Sequence, residues 1–188
     1  KKILPPDSLK MLYSTLILPH IQYGLAAWGN LKGQSKNRIT KIQKRIIRII
    51  SKSYIKSHTE PRMKKLGILK FEDVYKHQCL TLIHNAIHEN CPEVINGFAK
   101  LTANKNSYSL RAKEQNPLDI QKPNLKTRQG QSSFRMNGPS LWNELPNELR
   151  EIENKNPFKL QLKKYLMENY STTIVCTNPL CRDHRHHD

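Results

Sequence analysis

Between Arg38 and Ile50 the chain reads Arg-Ile-Thr-Lys-Ile-Gln-Lys-Arg-Ile-Ile-Arg-Ile-Ile, with isoleucines and cations recurring at helical spacing. At about 100° per residue, Ile39, Ile42, Ile46, Ile49 and Ile50 fall on one face. Lys41, Arg45, Arg48 and Lys52 fall on the opposite one. A chain with such a segment must cover one side of a helix with apolar partners and leaves a row of positive charge on the other. The spacing predicts a helix over 35–51. Its isoleucines are expected to pack, antiparallel, on the apolar run that precedes it, 9–28.

Other segments point the same way. Pro5-Pro6-Asp7-Ser8 is a helix-start signal, with Asp7 or Ser8 as candidate N-cap. Pro19 interrupts the run that follows, and a kink or break is expected there because proline lacks the amide hydrogen and crowds the preceding turn. A short helix is expected over 60–66, stopped by Gly67. A longer one follows over about 71–90, and Pro92 opens another, through Phe98. From Lys100 to Asn137 polar residues dominate, with Pro117 and Pro123 interrupting, which reads as a long loop or a pair of short strands. Apolar signal returns at Gly138-Pro139-Ser140-Leu141-Trp142, with a helix start near Pro139 or Ser140. A last amphipathic helix is expected over 158–170. The organisation read from these shifts is 1–56, 57–99, 100–137, 138–170 and a Cys/His-rich tail, 171–188.

The 188 residues carry a formal charge of +17. A field of that sign attracts polyanions, with affinity that weakens as salt rises, so nucleic acid is the leading partner. No apolar run approaches the roughly 20 residues that span a bilayer, and the first residues have no signal-peptide core. An intracellular protein, nuclear or cytoplasmic, with no membrane partner is expected. The chain begins without Met, which fits an excised piece. Four cysteines in this length do not suggest a disulfide framework, and Cys79 and Cys91 read as buried or free thiols.

Arg38, Lys41, Lys44, Arg45, Arg48 and Lys52 form a cation ladder suited to phosphates. Its bland counterpart is a solvated helix face. A second basic stretch, Arg111, Lys113, Lys122, Lys126, Arg128 and Arg135, is interleaved with Tyr108 and Phe134 and suits a single strand, or else a solvated loop. His84 and His88 have the i, i+4 spacing of metal ligands. With His77, Asp73 and Thr81 nearby, a solvated polar stripe is the better account. Cys176, Cys181 and His184, closed by His186 or His187, offer four zinc ligands. The same tail also reads as disordered. No paired aspartates in an apolar context and no GxxxxGK loop occur, so no catalytic residue is assigned.

The order of several landmarks resembles the region downstream of the palm in reverse transcriptases of non-LTR (LINE-type, jockey-like) retrotransposons. They are Leu12-Tyr13-Ser14-Thr15-Leu16-Ile17-Leu18-Pro19-His20-Ile21-Gln22-Tyr23-Gly24, Trp28-Gly29, Ile42-Gln43-Lys44-Arg45 with Arg48-Ile49-Ile50, Ser57-His58-Thr59-Glu60-Pro61 and Leu66-Gly67-Ile68-Leu69. Arg111, Thr127-Arg128, Gly130-Gln131, Ser133-Phe134, Gly138-Pro139-Ser140-Leu141-Trp142-Asn143-Glu144-Leu145-Pro146 and Phe158-Lys159 complete the series. The resemblance implies a mainly α fold: a thumb-like helical hairpin, then a small helical domain with a long irregular basic insertion. It implies the nucleic-acid-binding C-terminal part of an RNA-directed DNA polymerase, gripping RNA, RNA–DNA or DNA duplex by backbone phosphates at Lys41, Arg45, Arg48 and Lys52. Trp28 and Trp142 would be packing residues. The upstream palm and fingers of the same polyprotein would be a partner, and magnesium would belong to the palm alone. No cofactor would be required here, zinc in the tail aside. The alternative is a protein–protein interaction or assembly module without direct nucleic-acid binding, using apolar surface from 9–28.

Overall fold

The computed structural model describes residues 4–30, 33–54, 57–88, 90–96 and 117–170. The fold is mainly α, and no strand occurs among the described residues. No helix among them is long and apolar enough to cross a membrane. By internal packing the chain divides into two units. The first comprises Lys1–Leu25, Leu31–Val74 and Tyr165–Asp188, and the second Ala26–Asn30 and Tyr75–Lys164.

In the first unit, helix α1 (Pro6–Leu12) starts with proline at its first positions, where the missing amide hydrogen costs nothing. Asp7 therefore lies in the first turn rather than at the cap. The break expected at Pro19 takes a specific form. Proline cannot donate to the carbonyl of Thr15, and the ladder widens just ahead of it into a π-helical turn, Tyr13–Ile17. The Leu18 amide closes that turn on the Tyr13 carbonyl, five residues back, and α2 (Leu18–Gln22) continues in helical geometry. Gly24, at φ 61°, ends it, and the short α3 (Leu25–Trp28) follows, of which Leu25 belongs to this unit and residues 26–28 to the second.

Helix α4 (Gln34–Ile50) matches the expected span within a residue at each end. Its buried stripe is not the isoleucine face read from periodicity. Gln43, Ile47 and Ile50 are buried, whereas Ile42 is 59% and Ile49 55% exposed. Helix α5 (Glu60–Leu66) stops at Gly67, whose φ of 66° is left-handed. The Gly67 amide bonds to Lys64 O at 3.1 Å and the Ile68 amide to Met63 O at 2.9 Å, a Schellman closure that buries Met63 and Ile68.

Helix α6 (Phe71–Ile87) has no serine, threonine, aspartate or asparagine at its N-cap. Its first amides are capped from elsewhere in the unit. Phe71 N donates to Gln43 Oε1 at 2.9 Å, and Lys70 N to the Tyr170 hydroxyl at 2.8 Å. The amide of Gln43 also donates to Leu69 O (2.8 Å) and to the Tyr13 hydroxyl (3.1 Å). Tyr170 in turn donates to the Asp73 carboxylate, and the Lys70 ammonium lies 4.3 Å from its ring centroid. Lys64 donates to the carbonyls of Glu168 and Tyr170, satisfying the end of the last helix with a cation. Tyr13, Leu25, Ile47, Ile50, Met63, Leu69, Phe71 and Val74 fill this core.

The second unit contains the rest of α6, α7 (Glu93–Asn96), α8 (Arg128–Ser132), α9 (Phe134–Asn143), α10 (Asn147–Arg150) and most of α11 (Lys155–Glu168). Helices α8 and α9 begin inside the stretch read as loop or strands. Thr127 caps α8 by accepting from Gly130 N at 3.1 Å, and α9 starts at Phe134 and carries Pro139 within it. Trp142, buried, donates to Leu118 O at 3.0 Å. Asn143 pairs both ways with the Ile120 backbone. Arg150 meets Asp119 at 2.6 Å. A Cβ placed on Gly138 would stand 2.9 Å from Ile83 Cδ1, so glycine here lets α9 approach α6 closely.

The cap on α6 yields a stability prediction. Gln43→Leu keeps the volume and strands the Phe71 amide and Leu69 carbonyl, a loss of roughly 2 kcal/mol or more. Tyr170→Phe removes the acceptor for Lys70 N and costs about 1–2 kcal/mol. Urea unfolding should show both, and a Gln43→Leu midpoint equal to that of the parent protein would refute the assignment.

Candidate nucleic-acid interface

The buried stripe of α4 decides which of its cations reach solvent. With Gln43 and Ile47 turned inward, Arg38, Lys41 and Arg45 lie on the far side of the helix and are exposed, and Lys44 is exposed on its flank. Among the described residues, no side-chain hydrogen bond or ion pair engages these four. Arg38 to Arg45 spans about 10 Å of helix axis at 1.5 Å per residue. No Asp or Glu occurs within α4. The result is a rigid ridge of positive charge, held by a core on its opposite side.

Two members of the expected ladder behave differently. Arg48 is half-buried, and its Nε donates to Ser57 O at 3.0 Å, which ties the end of α4 to the following segment. Lys52 lies beyond the helix, exposed, with a positive φ of 50°. Lys126, Arg128 and Arg135 are exposed in the second unit, Arg128 in α8 and Arg135 in α9. Arg111 and the tail residues Cys176, Cys181, His184, His186 and His187 lie outside the described residues.

A cleft of about 290 Å³ in the first unit is lined by Thr40, Lys44, His58, Glu60, Lys70 and Glu72, among others. Its carboxylates are matched: Glu60 pairs with Lys70, and Glu72 with Lys36 at 2.7 Å. Both acids are thus held by neighbouring cations.

The polar histidine stripe expected on α6 is overturned at its centre. His84 is fully buried and stacks on Phe158 with ring centroids 4.1 Å apart. Its Nε2 lies 2.6 Å from Ile152 O, so this nitrogen is the donor and Nδ1 keeps its lone pair, without a hydrogen-bond partner. His88 lies 4.5 Å away, centroid to centroid. Among the described residues no group of three or more His, Cys, Asp or Glu is placed to hold a metal. Periodicity put His84 on a polar face because it ranks imidazole as polar. In the fold the ring serves as an aromatic between Phe158 and Trp142. Cys79 is a free, buried thiol, and burial pushes it up to about 12, so it is no nucleophile at neutral pH.

Gln43 was not singled out by sequence reasoning, although it sets the orientation of α4. A lone glutamine among isoleucines at an otherwise apolar position is the signal that could have marked it. No protein-family model, no curated protein and no solved structure matches this chain.

The buried imidazoles give a pH prediction. Burial lowers the pKa of His84, with His88 and Lys155 adding to the effect, and burial lowers that of His77 beside Lys159 and Lys163. Each is therefore neutral in the fold at a pH where the unfolded chain binds a proton. Stability is full above about pH 6.5 and falls as the pH drops below it, toward the depressed folded values. The urea midpoint should decline between about pH 7.5 and 5.5. His84→Gln should shrink that decline. A midpoint independent of pH across this window would show that the imidazoles titrate in the fold as they do in the unfolded chain, and would refute the assignment.

Proposed function

We propose that the first unit binds nucleic acid through backbone phosphates on the exposed ridge of α4, as the part beyond the palm of a non-LTR retrotransposon reverse transcriptase. The supporting observation is the ridge itself. Arg38, Lys41, Lys44 and Arg45 are exposed on one helix without acidic neighbours in that helix, in a chain of net charge +17. Its side chains stand where successive phosphates can meet them, and each neutralised phosphate releases condensed counterions. Such contacts position a duplex without reading bases, so binding is tolerant of sequence. The role is gripping rather than catalysis. RNA–DNA hybrid, RNA and DNA duplex are the ligands of this reading, and the palm and fingers would lie in the same polyprotein.

Arg48 is left out of the ridge because its bond to Ser57 makes it structural. The decisive variant is Lys41→Gln with Arg45→Gln, measured by fluorescence anisotropy on an RNA–DNA hybrid, single-stranded RNA and duplex DNA. Affinity should fall about tenfold or more, roughly 1.4 kcal/mol, and by a similar factor for every sequence. The slope of log K against log salt should flatten by one to two. An unchanged affinity and slope in a variant with native circular dichroism would remove the ridge from the interface.

A further inference from the structure

Helix α4 presents a second outward surface, distinct from the cation ridge. Ile39, Ile42, Ile46 and Ile49 form a stripe about a quarter turn from the buried Gln43–Ile47–Ile50 stripe. Ile42 and Ile49 are exposed, and Ile39 and Ile46 are half-buried. Two β-branched side chains in water, alternating with two half-buried ones, leave a contiguous apolar strip whose burial against a partner is favourable. Their spacing, three, four, then three residues, is that of the a and d positions of a heptad repeat. It spans about 15 Å, or three helical turns.

The neighbours of this stripe define what fits it. On one side the unit's own core takes Gln43 and Ile50, at the e positions. On the other side Arg38 and Arg45 occupy the g positions and are exposed. With no Asp or Glu in α4, a second copy of this helix would set cations against cations. A complementary occupant carries apolar a and d residues and carboxylates opposite the two arginines.

We propose that the Ile39–Ile42–Ile46–Ile49 stripe is a docking seam for an acidic amphipathic helix of a partner protein, packed alongside α4 in coiled-coil fashion. This inference does not rest on the nucleic-acid reading, because its apolar contacts are not those of the ridge, although Arg38 and Arg45 border both surfaces. Ile42 and Ile49 supply the knobs of the seam, Arg38 and Arg45 set the polarity of the partner's flank, and three turns of contact make the complex a weak one.

The probe is a designed peptide of about three heptads, with Leu at a and d and Glu at e and g, set against a peptide of identical composition with scrambled periodicity. Binding to residues 1–188 is measured by anisotropy. The patterned peptide should bind at least about tenfold more tightly than the scrambled one. Ile42→Gln with Ile49→Gln should abolish that preference while leaving affinity for duplex DNA intact. Equal affinity for the two peptides would mean that charge alone attracts them, and would overturn the proposal. So would no binding of either peptide, or a patterned-peptide affinity unchanged by the double substitution. Self-association or binding to phosphatidylserine vesicles that disappears in the double variant would give the stripe a different occupant and equally overturn it.

Discussion

The first turn of α6 depends on hydrogen bonds from residues distant in sequence, and the first unit is organised around them. A helix leaves its first amides without internal partners, and usually a local Ser, Thr, Asp or Asn supplies one. Here Lys70 and Phe71 begin the helix, and Gln43 and Tyr170 supply the acceptors. Gln43 can do this only if α4 is rotated to turn an amide inward among isoleucines. Tyr170 can do it only if the chain returns to this unit after α11. The acids Glu72 and Asp73 in the same turn complement the helix dipole, and Asp73 also accepts from Tyr170. One capping requirement therefore links three segments far apart along the chain.

That rotation accounts for both outward surfaces of α4. Had the helix buried the five isoleucines expected from periodicity, Lys41, Arg45, Arg48 and Lys52 would stand opposite and no apolar stripe would remain. Turning Gln43 into the core brings Ile47 with it and moves the buried stripe toward Lys44. Ile42 and Ile49 then emerge into solvent. Arg48 becomes half-buried and bonds to Ser57. Gln43 satisfies three backbone or hydroxyl partners at once, and these bonds offset the cost of leaving two isoleucines exposed, since a buried amide and carbonyl left unpaired would cost about as much.

Where a rule is local, the sequence was legible. The span of α4, the arrest of α5 at Gly67 and the disturbance near Pro19 follow from helical periodicity, a left-handed glycine and a missing amide hydrogen. The mainly α fold follows from the sum of such signals. The face of α4 was not legible, because hydrophobicity treats six isoleucines as equivalent and cannot see a capping demand at residue 71. His84 was misread for a related reason. Imidazole counts as polar in a pattern, yet a neutral ring with one donor satisfied by Ile152 O packs as an aromatic. Helices α8 and α9 were missed because their polar residues are used locally. Thr127 caps one, and Asn137 bonds to Ser132 O. Of the candidate interface, the cations were visible and their division into exposed ridge and structural Arg48 was not.

The two surfaces of α4 share charged residues, and this constrains how they can act together. Arg38 and Arg45 stand at the border between ridge and stripe. On the proposed readings, a phosphate that drew Arg45 toward the ridge would weaken its attraction for a carboxylate on the stripe side, and a docked acidic helix would do the reverse. If both proposed ligands bind, linkage would make the coupling reciprocal: whatever factor nucleic acid took from the partner helix, the partner helix would take from nucleic acid. Lys41 and Lys44 lie farther from the stripe and should carry little of it. The antagonism should therefore reside in the two arginines and weaken as salt screens them, while the apolar part of helix docking through Ile42 and Ile49 is largely insensitive to salt.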